Sequence, residues 1–323
     1  MHGRIGLGVV GVGRMGADHA RIIARLVPEA RLVGIADVDI AAARRLAAEL
    51  GVAGVYGSAD ELAADPDVQG VLVAVSTSRH LEVVRAVAAA RKEILCEKPL
   101  ALTLADTDAA VAAAEAAGVR LQVGLHRRWD PGYRRAHERL AAGECGRPIL
   151  FKSLKFDAGP PPSAYADPEV SGGIMVDMGI HEFDLARWLM ADEVVEVHAW
   201  GSLLAHPHLA EVGDVDSAVV ALRLAGGAVG TVELARCNLA GDEVRTEVLG
   251  TSGAVHVGER LVVGEEREPI FERAYAEQAR AFARAIADDA LVEVGGAEAR
   301  AAFAIALAAR RSLREGRPVR VES

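Results

Sequence analysis

Residues 11–16 read Gly-Val-Gly-Arg-Met-Gly, a G-x-G-x-x-G that directly follows the apolar run 5–10 and opens a helical pattern. No other feature restricts the fold as tightly. Gly11 permits a tight turn off the strand, Gly13 lets backbone approach a pyrophosphate, and Gly16 allows the helix to pack closely on the strand. Alone, the motif is weak. Asp37 strengthens it, ending the next strand about 20 residues on, where such a turn expects an acidic residue for the ribose hydroxyls.

The pattern around the turn repeats. Strand-like runs at 5–10, 31–36, 70–75, 93–96 and 120–124 alternate with alanine-rich helical segments at 18–26, 40–50, 81–90 and 104–117. This alternation predicts an α/β fold with a doubly wound parallel sheet, and the near-continuous apolar strands fit a sheet covered on both faces. From residue 149 the pattern changes. Consecutive strands at 194–204, 217–224, 228–235 and 244–249, with turns such as Ala225-Gly226-Gly227, predict an antiparallel sheet. A helix at 177–190 interrupts them, and helices at 271–288 and 297–315 close the chain. With 323 residues and a hydrophobic share of 51%, two cores are affordable.

Composition excludes several classes. The three cysteines, Cys96, Cys145 and Cys237, are widely spaced and form no C-x-x-C, so neither a disulfide framework nor a zinc site is expected. A reducing cytoplasm fits them. A net charge of −10 disfavours nucleic acid as a partner. The run 5–13 is too short to span a bilayer, no cleavage site follows it, and no membrane partner is expected. His206, Pro207, His208, Asp214 and Asp216 suit turn chemistry, and no metal is expected there.

Asp37 bears on cofactor choice, because its carboxylate accepts from a ribose 2′-hydroxyl and repels a 2′-phosphate. Val38 follows it, with no basic neighbour. NAD is therefore favoured, with NADP kept as the alternative by Arg14 and Arg44. Two further clusters carry chemistry. Cys96-Glu97-Lys98-Pro99 puts a lysine at the carboxyl end of the parallel sheet, where ligands bind in open α/β folds. In Gly172-Gly173-Ile174-Met175-Val176-Asp177-Met178-Gly179-Ile180-His181, a helix running on from Asp177 puts Asp177 and His181 on one face. A His oriented by an Asp accepts a proton near neutral pH.

Together these residues resemble the group of NAD(P)-dependent dehydrogenases that includes glucose-fructose oxidoreductase, inositol dehydrogenase and rhizopine catabolism proteins (Gfo/Idh/MocA). The carriers are Gly11-x-Gly13-x-x-Gly16, Asp37, the loop 75–80, Glu97-Lys98-Pro99 and Gly172-Gly173-x-x-x-Asp177-x-Gly179-x-His181-x-x-Asp184. The resemblance implies a Rossmann domain over residues 1–124, completed by the C-terminal helix near 297–315. It implies a substrate-binding and oligomerisation domain over 125–323, α+β with a large open, mainly antiparallel sheet, assembling as a homodimer or homotetramer. Gly11, Gly13, Arg14, Met15, Gly16, Asp37, Val38, Ser76, Thr77, His80 and Glu97 then fall at the cofactor, and Lys98, Asp177 and His181 form the catalytic group. A narrower likeness to inositol 2-dehydrogenases rests on residues 124–133, on Pro160-Pro161-Pro162 with Tyr165, and on Ser171-Gly172-Gly173. His126 and Asp157-Ala158-Gly159 depart from that pattern.

The chemistry implied is oxidation of a ring secondary alcohol. It needs a base, a cation for the developing alkoxide and a positioned hydride acceptor. His181 is expected to take the hydroxyl proton, Asp177 to orient the imidazole and Lys98 to stabilise the oxygen. Lys98, Arg127, Asp157, Tyr165, Asp177 and His181 are the expected polyol ligands, with His126 and Trp129 as walls. Two alternatives stay open: a sugar or glycoside ring-alcohol dehydrogenase or ketoreductase, and a non-catalytic NAD sensor.

Overall fold

The computed structural model describes residues 3–258 and 271–322. Six strands, β1 (Ile5–Val10), β2 (Ala30–Ala36), β3 (Gly54–Tyr56), β4 (Gly70–Val73), β5 (Glu93–Cys96) and β6 (Leu121–Val123), form one parallel sheet in the order β3-β2-β1-β4-β5-β6. Every residue of β1 and β4 is buried, which accounts for their unbroken apolar character. Between strands run helices α1 (Arg14–Leu26), α2 (Ile40–Leu50), α3 (Ala59–Ala64), α4 (His80–Ala89) and α5 (Leu104–Ala117). Local chemistry fixes their starts: Asp39 accepts from the Ala41 and Ala42 amides, Ser58 from Glu61 and Thr103 from Asp106. The spacing of α1 turns His19, Ala20, Ile22 and Ile23 inward.

The second half contains helices α6 (Pro131–Ala141), α7 (Ser163–Ala166), α8 (Pro168–Ser171), α9 (Gly173–Asp177) and α10 (Gly179–Met190). Its strands are β7 (Pro148–Phe156), β8 (Val194–Ser202), β9 (Ser217–Leu224), β10 (Val229–Ala235), β11 (Glu243–Gly250), β12 (Ala254–Val257) and β13 (Val319–Arg320). They form a seven-stranded sheet in the order β12-β11-β7-β10-β9-β8-β13. All pairs are antiparallel except β7 with β10, so the sheet is mixed. One face is covered: Phe151, Val232 and Leu234 are buried, and α10 lies on β7 and β10, with Leu234 and Phe183 crowding Gly179. On the opposite face Trp200 pairs with Val219 across β8 and β9, and both are exposed, at 55% and 44%.

Two further helices, α11 (Glu272–Ala287) and α12 (Gly296–Glu315), complete the chain. Contacts divide the molecule into Met1–Trp129 with Ile270–Arg300, and Asp130–Pro269 with Ala301–Ser323. The C-terminal chain returns to the first unit. α11 supplies Ala276, Ala279, Phe282 and Ala283 to the core of β1 and α1, the start of α12 adds Ala299 to the core of β4 and β5, and α12 past Arg300 groups with the second unit. Gly70 leaves room where Phe282 and Ile286 pack against the sheet. Truncating a buried phenylalanine such as Phe282 costs about 3–5 kcal/mol.

Candidate functional site

The first unit builds a dinucleotide turn from backbone. Gly11 has φ +92°, and a Cβ there would lie 2.5 Å from the Ala74 carbonyl oxygen. At Gly16 a Cβ would overlap the carbonyl oxygen of Gly11, so glycine is required for α1 to sit on β1. Gly13 differs from both. It is exposed, nothing lies within 4 Å of where its Cβ would be, and it caps α1 with no side-chain hydrogen bond and no acidic residue in the first turn. An uncapped helix start behind an open glycine fits a pyrophosphate. Asp37 stands beside it: Oδ2 accepts from the Val12 amide at 2.7 Å and Oδ1 from the Asp39 amide at 2.8 Å. The carboxylate is thereby fixed next to the turn, with Val38 exposed after it. Arg14 is exposed and Met15 half-buried on the first turn of α1, and Ser76 and Thr77 follow the Ala74-Val75 backbone that touches Gly11. These residues fit NAD.

Lys98 follows β5 at its carboxyl end, half-buried, with a cis bond to Pro99. Two neighbours expected at the cofactor also brace this loop. His80 is 1% exposed, with Nδ1 2.9 Å from the Pro99 carbonyl oxygen and Nε2 3.1 Å from that of Val75. Both nitrogens face backbone carbonyls, and the imidazole braces the lysine loop. Burial pushes its pKa below the usual histidine value, against the opposing pull of those carbonyls. Glu97 is buried too, with Oε1 2.6 Å from His19 Nε2 and Oε2 accepting the Lys98 amide at 3.1 Å. Burial pushes its carboxyl up, but His19 and Lys98 outweigh that and hold it below the usual range. Arg127 also belongs to this unit, buried, its guanidinium 5.6 Å from the Phe271 ring centroid. His126 stacks on Tyr275 at 4.2 Å and meets Phe271 edge-on at 5.0 Å, which accounts for a histidine at that departure.

In the second unit Asp177 closes α9, and Met178 breaks the helix before α10 begins, so His181 stands in the first turn of a new helix. The single continuous helix expected for the pair is not formed. Gly172 and Gly173, both at positive φ, turn the chain into α9, whose Ile174 amide donates to Asp214 Oδ1 and Oδ2 at 3.2 and 3.1 Å. Tyr165 Oη donates to Asp177 Oδ1 at 3.3 Å, so these two expected ligands meet. On the other side Arg236 Nη2 lies 3.6 Å from Asp177 Oδ2, while Arg236 Nη1 donates to Asp214. A fully buried guanidinium thus spans Asp177 and Asp214. Asp157, just beyond β7, is ion-paired with Lys155, its amide donates to the Ala235 carbonyl at 2.8 Å and its carbonyl accepts from the Asn238 amide at 2.9 Å. His181 is 6% exposed. Asp216 Oδ2 accepts the Ala205 and His206 amides at 2.6 and 2.9 Å.

Sequence reasoning missed His19, Arg236 and Asp214. A signal existed for the first two. His19 occupies an inward position of α1, and Arg236 continues the inward parity of Val232 and Leu234 just beyond β10. A charged or titratable residue at a core position needs a partner.

A family profile described as "Oxidoreductase family, NAD-binding Rossmann fold" matches residues 5–125, and the GFO/IDH/MocA C-terminal domain matches residues 133–256. Along its whole length the chain is 37% identical to the myo-inositol 2-dehydrogenase of Thermotoga maritima, covering 98% of each. The chain belongs to the Gfo/Idh/MocA oxidoreductase family. Like other members it is an NAD-dependent dehydrogenase whose first unit is an NAD-binding Rossmann domain. It is 32% identical to the scyllo-inositol 2-dehydrogenase (NAD(+)) of Bacillus subtilis, covering 100% of this chain and 98% of that one. Among solved structures, the scyllo-inositol dehydrogenase of Lactobacillus casei with bound NAD(H) and scyllo-inositol superposes with a TM-score of 0.89 at 26% identity, covering 99% and 100% of the two chains. Among the described residues of this Gfo/Idh/MocA protein, no helix is long and apolar enough to cross a membrane.

Proposed function

We propose that this protein oxidises a ring secondary alcohol of a cyclitol, with inositol as the favoured substrate, and that Lys98, Asp177 and His181 manage the proton. The observation that carries the substrate class is its full-length likeness to dehydrogenases of two inositol stereoisomers. NAD, when bound, supplies the hydride acceptor. His181 takes the hydroxyl proton, and Asp177 holds the imidazole and favours its charged form. Lys98 donates to the reacting oxygen and stabilises its developing negative charge. The buried Arg236 beside Asp177 supports this division, since it anchors the carboxylate proposed to orient the histidine. Tyr165, within reach of Asp177, binds a ring hydroxyl, and Arg127 and Asp157 complete the polyol ligands.

The protein acts as a homodimer or homotetramer. Support comes from the exposed Trp200, Val219 and Val229 on the uncovered face of the seven-stranded sheet. A second reading is a sugar or glycoside ring alcohol, favoured by Asp157-Ala158-Gly159, where the loop departs from the inositol pattern. NADH formation from NAD with a panel of inositols, aldoses and glycosides separates the two. The fastest turnover is expected with an inositol. An aldose or glycoside preferred over every inositol would establish the second reading, and no turnover across the panel despite NAD binding would leave an NAD sensor.

A further inference from the structure

His19 lies on the inward face of α1, the helix that opens at the dinucleotide turn, and is 1% exposed. Its Nε2 is 2.6 Å from Glu97 Oε1, and the other oxygen of the same carboxylate accepts the amide of Lys98 at 3.1 Å. One buried carboxylate therefore joins the cofactor helix to the lysine loop. Room for it is made by Gly124 at the end of β6, where a Cβ would stand 3.0 Å from Glu97 Oε2. Tyr275 of α11 closes the other side, edge-on to the His19 ring at 5.0 Å.

Fold stability alone does not account for this pair. A buried polar pair is often replaceable by apolar side chains at no loss, and the rest of the α1 inner face is already Ala20, Ile22 and Ile23. His19 Nδ1 is also buried and finds no hydrogen-bond partner among the described residues, a desolvation penalty that an apolar residue would avoid. What the pair provides is a fixed backbone at the residue carrying the ammonium.

Resting on the assignment of Lys98 above, we propose that His19 is a positioning residue for Lys98, acting through Glu97 so that the cofactor helix and the lysine loop move as one body. Its loss misplaces the ammonium relative to the reacting oxygen while leaving the dinucleotide turn formed.

The test compares steady-state kinetics with NAD and inositol, NADH binding by fluorescence, and thermal melts. His19→Leu and His19→Asn are both expected to lower kcat by about 10–100-fold, with NADH affinity changed by less than about threefold. Asparagine is polar, but its amide reaches only the Nδ1 position and falls short of Glu97. His19→Gln, whose amide reaches the Nε2 position, should restore kcat to within about threefold of the original protein. In a Lys98→Ala background, His19→Leu should cost less than about twofold more, because both act on one interaction. A kcat for His19→Asn within about twofold of the original, or the full penalty repeated in the Lys98→Ala background, overturns the proposal. If Lys98→Ala itself turns over at the original rate, the assignment of Lys98 fails instead. Should His19→Leu not fold, the Asn and Gln pair decides alone.

Discussion

Single residues in this protein act mainly by fixing others. Glu97 and His80 hold the Lys98-Pro99 backbone, Asp37 holds the dinucleotide turn, and Arg236 spans Asp177 and Asp214. Two of these residues carry a pH dependence of known sign. His80 folds with a pKa below its ordinary value of 6.5, so on acidification the unfolded chain takes up that proton first. Its stabilisation is complete above that ordinary value and is lost as pH falls below it. Glu97 also folds with a depressed pKa, and its contribution is present above its ordinary value of 4.5 and is lost below it. Thermal melts should therefore show Tm falling in two stages as pH drops, the first near pH 6.5 and the second below 4.5. His80→Gln should remove the first stage. A first stage of equal size in that variant would show that His80 is not its source.

At the scale of elements, the turn from β1 into α1 separates a glycine that serves folding from one that serves binding. Gly16 faces the Gly11 carbonyl, whereas Gly13 faces open space. Gly16→Ala should destabilise the protein by about 1–3 kcal/mol or more in urea unfolding, because a rigid backbone cannot yield to the added methyl. Gly13→Ala should keep Tm within about 2 °C yet raise the NAD KM several-fold. Equal loss of stability in both would contradict the division. This turn was legible in the sequence, as were the long alternating elements, because glycine spacing and apolar period are local properties. The break at Met178 was not, since a D-x-x-x-H spacing reads the same in one helix or two. Nor was the parallel pairing of β7 with β10, which joins strands far apart in sequence. Pairings such as His19 with Glu97, or Arg236 with Asp177, depend on tertiary neighbours; the sequence marks only that a polar group stands at a core position.

For the whole molecule, one sheet face carries α10 and the other carries exposed apolar side chains. An exposed apolar patch of this kind on a mainly antiparallel sheet suits the proposed burial against a second copy. Sedimentation should find a dimer or tetramer, and Val219→Lys opposite Trp200 should shift it towards monomer; a monomeric original protein would remove that expectation. The central claim concerns chemistry, and one measurement tests it most directly: NADH formation from NAD and inositol by the original protein, Lys98→Ala and His181→Ala, side by side. Turnover by the original protein, with kcat lowered by about 10²–10⁴-fold in each variant, is the predicted result. Near-original kcat in either variant would contradict the account.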